Sequence, residues 1–157
     1  MPRFALTVEI ARAPAEVFAY LTDVSKLSEW QATATSADAD GAVRPGARIR
    51  ERRRFLGRDV RTELEVTAYD PPRRFDVQSR GGPVSFTIRH TLDPAGAGTR
   101  LHAQVDVKVR SMMRIAAQAP VKLAEREFRA DFERLKEILE SPSSEESSGA
   151  DRAHRSE

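Results

Sequence analysis

Residues 11–30 read ARAPAEVFAYLTDVSKLSEW, and this stretch predicts two short helices that follow an initial strand. Pro14 suits the first turn of a helix, where a backbone N–H has no intrahelical partner, and Glu16 suits the positive end of the helix dipole. A second helical turn, capped by Asp23 or Ser25, ends at Trp30, the only tryptophan in the protein. The apolar stripe of the first helix, at about residues 14–22, comprises Val17, Phe18, Tyr20 and Leu21.

Alternating apolar and polar residues predict strands on both sides of this segment. One strand precedes it at residues 3–10, a weak edge strand follows within 31–43, and the alternation resumes at Gly46. The later turns are predicted at residues 56–57, 71–72, 81–83 and 93–98. From Ser111 to Glu140 the period becomes helical, and Pro120 either kinks this helix or begins its regular part. The predicted order is therefore one strand, two short helices, about six strands and one long helix.

Length and composition predict a single intracellular domain. A chain of 157 residues is long enough for one core, and the absence of cysteine excludes disulfides and thiolate chemistry. Arg3, Glu9 and Arg12 interrupt any apolar signal core, and no apolar run approaches the roughly 20 residues of a membrane span. We therefore expect a cytoplasmic protein without integral membrane association, with one domain at residues 1–140. The polar residues 141–157 are expected to be a disordered tail.

The dense arginine run at residues 44–61 raises the question of nucleic acid binding. It contains eight arginines against Glu51 and Asp59, a local charge of 8 − 2 = +6. A two-residue turn at Leu56 and Gly57 would place three arginines opposite acids across a hairpin, with Arg52 opposite Arg61 as the unfavourable pair. The attractive pairs would be Arg54 with Asp59, Arg50 with Glu63 and Arg48 with Glu65. Since hairpin pairing explains the run and no exposed aromatics interleave it, we predict no nucleic acid partner.

A few polar residues fall on the predicted inner face of the sheet, where most positions are apolar. Glu51 and Arg53 are two residues apart on one strand and point the same way. They either pair structurally at an open rim, or Arg53 hydrogen-bonds a ligand carbonyl, carboxylate or enolate while Glu51 orients it. His90 is either a satisfied core residue or an acid–base group. The other inward polar positions are Thr62 and Ser79.

Cofactor and metal chemistry find no support in the sequence. The three histidines are scattered and cysteine is absent, so no spacing of metal ligands occurs. Gly96 and Gly98 lack the third glycine of a phosphate-binding loop and lie in a turn between strands. We predict neither a cofactor nor a metal.

The order of these elements, with several short motifs, resembles the START-related, polyketide cyclase-dehydratase and pollen-allergen-like (SRPBCC) superfamily over about residues 3–140. The motifs are Ala13-Pro14 with Val17-Phe18, Leu21-Thr22-Asp23, Trp30, Pro71-Pro72-Arg73-Arg74-Phe75, Gly98-Thr99-Arg100-Leu101 and Leu135-Lys136. The resemblance implies an α+β helix-grip fold. In that fold a curved antiparallel β-sheet wraps round a long C-terminal α-helix, two short helices lie between the first two strands, and a cavity lies between sheet and helix.

The resemblance also implies what the cavity does. It favours a non-catalytic carrier or sensor of a small hydrophobic molecule such as a lipid or polyketide. The alternatives are a polyketide cyclase or dehydratase and a protein-interaction module. In the cyclase alternative Arg53 would polarise a substrate carbonyl for aldol closure and dehydration, with Glu51, His90 and Trp30 in support. Trp30 would otherwise anchor the second helical turn or form an apolar wall. The predicted ligand-binding residues are Trp30, Ile49, Glu51, Arg53, Thr62, Leu64, Phe75, Val77, Phe86, Ile88, His90, Leu123 and Phe128.

Overall fold

The computed structural model describes residues 3–55, 57–81, 84–109 and 118–141. Its elements follow the predicted order, and a single 3₁₀ turn at Val24–Lys26 precedes the second short helix. The elements are β1 (Arg3–Ile10), α1 (Pro14–Leu21), α2 (Leu27–Trp30), β2 (Ala34–Ala39), β3 (Arg48–Phe55), β4 (Arg58–Asp70), β5 (Arg74–Arg80), β6 (Val84–Ala95), β7 (Gly98–Val109) and α3 (Gln118–Glu140). The predictions for Leu56, for residues 82–83 and 110–117 and for the tail beyond Ser141 lie outside the described residues.

The seven strands form one antiparallel sheet in the order β1-β7-β6-β5-β4-β3-β2. β1 pairs with β7, which is distant in sequence. Each of the strands from β2 to β6 pairs with the strand that follows it in the chain, as in successive hairpins. The sheet curves round α3, which packs against β1 and α2. This architecture confirms the predicted helix-grip fold. No helix in the described part of the chain has the length and apolar character of a membrane span.

The segment at 11–30 folds as its residues predict. Pro14 opens α1, and the Ala13 carbonyl accepts hydrogen bonds from the backbone N–H groups of Glu16 and Val17. The Asp23 carboxylate caps the next turn by accepting from the backbone N–H of Ser25 at 3.1 Å. Val17, Phe18 and Leu21 are buried on the inner side of α1, and Leu27 and Trp30 are buried in α2. The two helices therefore cover one end of the sheet.

The β3–β4 hairpin has the predicted register, but its ion pairs differ from the expected ones. Arg48 lies opposite Glu65 and Arg50 opposite Glu63, as the sequence predicts. Arg48 nevertheless reaches diagonally to Glu63, with Nη1 and Oε1 2.7 Å apart. Arg50 instead contacts Asp40, the residue that follows β2. Long arginine side chains reach diagonal neighbours as easily as opposite ones. The strand register therefore does not determine which acid pairs with which arginine.

The close-packed core lies between the sheet, α1 and the C-terminal half of α3. Phe18 contacts Tyr69 and Phe75 at ring-centroid distances of 5.4 and 6.4 Å. Phe132 and Leu135 of α3 are fully buried against the same cluster. Beside this core the sheet and the helix enclose a space that side chains do not fill.

Candidate functional site

A cavity of about 380 Å³ lies between the concave face of the sheet and α3. Its wall is formed by inward residues of the strands, the α1–α2 segment and one face of α3. Most of the lining side chains are apolar, and the polar ones occur mainly near the end of α2 and the start of β2. The volume is within the range of pockets that bind small organic molecules.

Twelve of the thirteen residues predicted from the sequence to bind a ligand line this cavity. They are Trp30, Ile49, Glu51, Arg53, Thr62, Leu64, Phe75, Val77, Phe86, Ile88, His90 and Phe128. Strand parity was sufficient to place the sheet residues, because alternate residues of a strand point to the same face. Ligand binding by these residues remains a prediction.

Leu123 is the exception, because it lies outside the lining of the cavity. The helical residues in the wall are Ala124, Glu127, Phe128, Asp131 and Phe132. These have the i, i+3, i+4, i+7 and i+8 spacing of one helix face. Leu123 precedes Phe128 by five residues, which rotates it by about 140° round the helix axis. Ala124 therefore lines the cavity on this helix face and Leu123 does not, while ligand contact by Leu123 stays a prediction.

Arg53 is the centre of the polar end of the cavity. Its Nε donates to Oε2 of Glu51 at 2.8 Å, and its Nη1 donates to the Thr33 hydroxyl at 2.9 Å. Its Nη2 donates to the side-chain oxygen of Gln31. The ion pair that the sequence offered as the structural alternative is present in the cavity wall, and a hydrogen bond from Arg53 to a ligand stays a prediction. Each of the three guanidinium nitrogens has one acceptor within the protein.

Asp131 connects α3 to this polar end. Its Oδ1 accepts from the backbone N–H of Ala32 at 3.0 Å and from Nη1 of Arg134 at 3.2 Å. Burial raises the pKa of Asp131, although these two hydrogen bonds and the charges of Arg134 and Arg53 oppose the shift. Arg134 also donates to the Trp30 carbonyl at 2.9 Å, so this carboxylate and guanidinium hold the end of α2 against α3.

His90 lies in the wall between two aromatic rings. It stacks on Phe75 and Phe132, with ring centroids 5.6 and 5.9 Å apart. Its Nδ1 is 2.8 Å from the Phe75 carbonyl oxygen, so Nδ1 carries the proton and donates to it. Burial lowers the pKa of His90 to about 4, and the hydrogen bond and the charge of Asp76 only partly oppose that shift. The imidazole is therefore neutral at neutral pH.

Trp30 packs against α3 and lies in the cavity wall, and its contact with a ligand stays a prediction. It is only 2% exposed, and its ring meets Phe132 edge-on at a centroid distance of 5.3 Å, which anchors α2 to α3. It also lines the cavity. Its Nε1 is buried and finds no acceptor within the part of the chain that the structure describes. An unpaired indole N–H in a cavity wall is an uncommon feature, since buried donors are nearly always satisfied.

Sequence reasoning missed five polar residues of the cavity, one of which is Thr22 at the end of α1. Gln31 and Thr33 lie in the short link between α2 and β2, where no periodicity predicts direction. Glu127 and Asp131 lie on the same face of α3 as Phe128 and Phe132. An acidic pair at i, i+4 beside an aromatic pair at the same spacing is a signal that could have revealed them.

Comparison with known families gives one clear match. The profile of the family described as "Polyketide cyclase / dehydrase and lipid transport" matches residues 1–140. No functionally curated protein shows significant sequence similarity to the chain.

Solved structures match over most of the chain at low sequence identity. The protein TTHA0849 of Thermus thermophilus is 19% identical, with a TM-score of 0.77, and the match covers 91% of this chain and 100% of that one. A START superfamily protein from Mycobacterium smegmatis is 18% identical, with a TM-score of 0.72 and coverages of 88% and 97%. The di-domain ARO/CYC StfQ from the steffimycin biosynthetic pathway is 14% identical, with a TM-score of 0.73; the match covers 94% of this chain and 52% of StfQ. At these identities the likeness is one of fold.

Proposed function

Since the chain belongs to the polyketide cyclase/dehydrase and lipid transport family, within the SRPBCC superfamily, we propose that it is a carrier or sensor of a small hydrophobic molecule. The ligand would occupy the cavity between the sheet and α3. The observation that carries the proposal is the 380 Å³ cavity itself, bounded mostly by apolar side chains next to a well-packed core. Binding of an apolar ligand in an apolar space of that size is favourable, because the ligand and the wall both lose contact with water.

The polar groups of the cavity support binding more directly than catalysis. His90 is hydrogen-bonded and neutral, and Arg53 is engaged by three acceptors of the protein. Such groups are suited to orienting a ligand, since the imidazole and the guanidinium are already held by partners within the protein.

Binding can be tested with Nile red, an uncharged apolar dye, and with native mass spectrometry of the untreated protein. We expect Nile red to bind with enhanced fluorescence and the mass spectrum to reveal a co-purified ligand or an exchangeable one. Ile88→Phe fills part of the cavity and should weaken dye binding about tenfold or more. Val60→Phe is the matched control, because Val60 faces the same side of the sheet but is 42% exposed and lies outside the cavity. Equal dye binding by wild type and Ile88→Phe would contradict the proposal.

A cyclase or dehydratase is the second candidate, favoured by one specific observation. Arg53 lines the cavity, and three of its five N–H groups are occupied by Glu51, Thr33 and Gln31. Two donors therefore remain for a substrate carbonyl. StfQ, a di-domain ARO/CYC protein, shares the fold. The test is turnover of a poly-β-keto substrate with release of water, which Arg53→Lys should abolish because it removes the planar fork but keeps the charge.

A protein-interaction module is the third alternative, and it would be favoured by an interior filled with side chains. The open volume beside Phe128 and Ile88 supports the two small-molecule proposals instead. If neither dye nor co-purified ligand is found, partner capture becomes the appropriate experiment.

A further inference from the structure

We infer, on the premise that the proposed ligand-binding function holds, that this cavity accepts uncharged apolar molecules bearing a carbonyl or hydroxyl oxygen and excludes carboxylates. The reason is the way in which charge is distributed and partnered in the cavity wall. The wall contains four charged residues among those the structure describes, which are Glu51, Arg53, Glu127 and Asp131.

Arg53 is the group to which an anionic ligand would be expected to bind, but its charge is already neutralised. Glu51, whose side chain is only 3% exposed, is its partner at 2.8 Å. An incoming carboxylate would have to displace Glu51 and leave that carboxylate buried without a counterion. The neutral acceptors Thr33 and Gln31 occupy the other two nitrogens. A ligand carboxylate therefore meets a guanidinium whose charge is already balanced by Glu51.

The remaining charges of the wall are acidic. Asp131 is paired with Arg134 and lies close enough to Arg53 for that charge to act on it. Glu127, one turn earlier on α3, has no ion-pair partner in the described ranges of the chain. With the two ion pairs counted as neutral, Glu127 leaves the wall negative by one charge. A second anion in the same enclosed space would be repelled by it.

His90 does not offset this charge, because it is neutral at physiological pH and its Nδ1–H is committed to the Phe75 carbonyl. The described cavity lining contains no lysine. It does contain donors suited to a neutral oxygen, which are the two uncommitted N–H groups of Arg53. A ketone, ester or alcohol satisfies such donors without bringing an uncompensated charge into an apolar space.

The experiment compares head groups on one alkyl chain. Methyl decanoate, decan-2-one and decanoate are titrated against the Nile red complex of the full chain at about pH 7.5. We expect the two neutral compounds to displace the dye, and decanoate to bind at least about tenfold more weakly than methyl decanoate. Decanoate within tenfold of its methyl ester would overturn the inference. So would dye binding that none of the three compounds competes with. If Nile red itself fails to bind, the result contradicts the proposed ligand-binding function, on which this inference rests.

A gain-of-function variant strengthens the test. Glu51→Gln removes the internal counterion and leaves Arg53 available, so the ratio of decanoate affinity to methyl decanoate affinity should rise about tenfold. Glu63→Gln is the matched control: it removes the same charge and frees Arg48, but on the outer face of the sheet. An equal rise in both variants, or none in Glu51→Gln, would overturn the inference. The wild-type comparison decides the question even if Glu51→Gln does not fold.

Discussion

Glu51 and Arg53, two residues apart on β3, form an ion pair of 2.8 Å inside the wall of the cavity. The Glu51 side chain is 3% exposed and the Arg53 side chain 25%, so the carboxylate depends on the guanidinium for its solvation. Arg53 in turn holds the link between α2 and β2 through Thr33 and Gln31. The same pair therefore contributes to the fold and to the polarity of the cavity.

Replacing Arg53 should destabilise the protein mainly through the charge left on Glu51. We expect Arg53→Met to lower the free energy of unfolding by about 3 kcal/mol, as is typical when one partner of a buried pair is removed. The double variant Arg53→Met with Glu51→Gln should recover part of that loss, because no buried charge remains. Urea denaturation followed by far-UV circular dichroism measures both. Equal stability of the single and double variants would show that the charge on Glu51 is solvated in another way.

His90 should make stability depend on pH. Burial lowers its folded-state pKa to about 4, whereas an unfolded chain has a value near 6.5. The unfolded state therefore binds the proton first as pH falls. The stabilisation is complete above pH 6.5 and is lost towards pH 4, by a total of about 3 kcal/mol.

The measurement is the free energy of unfolding at several pH values across that window. His90→Gln should give a flatter profile, since glutamine can donate to the Phe75 carbonyl but does not titrate. His102→Gln is the control, because it makes the same substitution at a histidine that bonds to Thr7 away from the cavity. A wild-type slope in His90→Gln would assign the pH dependence to other groups.

The outer face of the β3–β4 hairpin offers a pair of charge reversals with opposite expected signs. Arg52 lies opposite Arg61, whereas Arg54 lies opposite Asp59. Arg52→Glu should stabilise the protein by up to about 1 kcal/mol, and Arg54→Glu should destabilise it by a similar amount. Both variants change the net charge equally. If both change the urea midpoint in the same direction, the global charge outweighs the cross-strand pairs. Urea midpoints at low and high salt test this, and salt should reduce both effects.

Replacing Trp30 with phenylalanine should destabilise the protein less than replacing it with leucine. Its edge-to-face contact with Phe132 is aromatic, while its unpaired Nε1 contributes no hydrogen bond within the described residues. Trp30→Phe keeps an aromatic contact, so we expect it to be more stable than Trp30→Leu by about 1 kcal/mol. Thermal unfolding followed by circular dichroism compares them. Identical stabilities would mean that Trp30 acts through its volume alone.

Local patterns in the sequence predicted much of this protein. Pro14 and Asp23 determined where the helical turns begin, because a missing N–H and a capping carboxylate act within a few residues. Strand alternation placed Ile49, Glu51 and Arg53 on one face, since the period of two is a property of the extended backbone. For the same reason ten strand residues of the cavity wall could be named before the fold was known.

Only the tertiary structure decided what those side chains contact. It placed Gln31 and Thr33 of an irregular link against Arg53, brought Asp131 to Ala32 from 99 positions away, and turned Leu123 out of the cavity. It also stacked His90 between two rings, which fixed its neutral state. Hydrogen-bond partners, burial and protonation depend on groups distant in sequence. Periodicity gives the direction of a side chain, and packing determines what it meets.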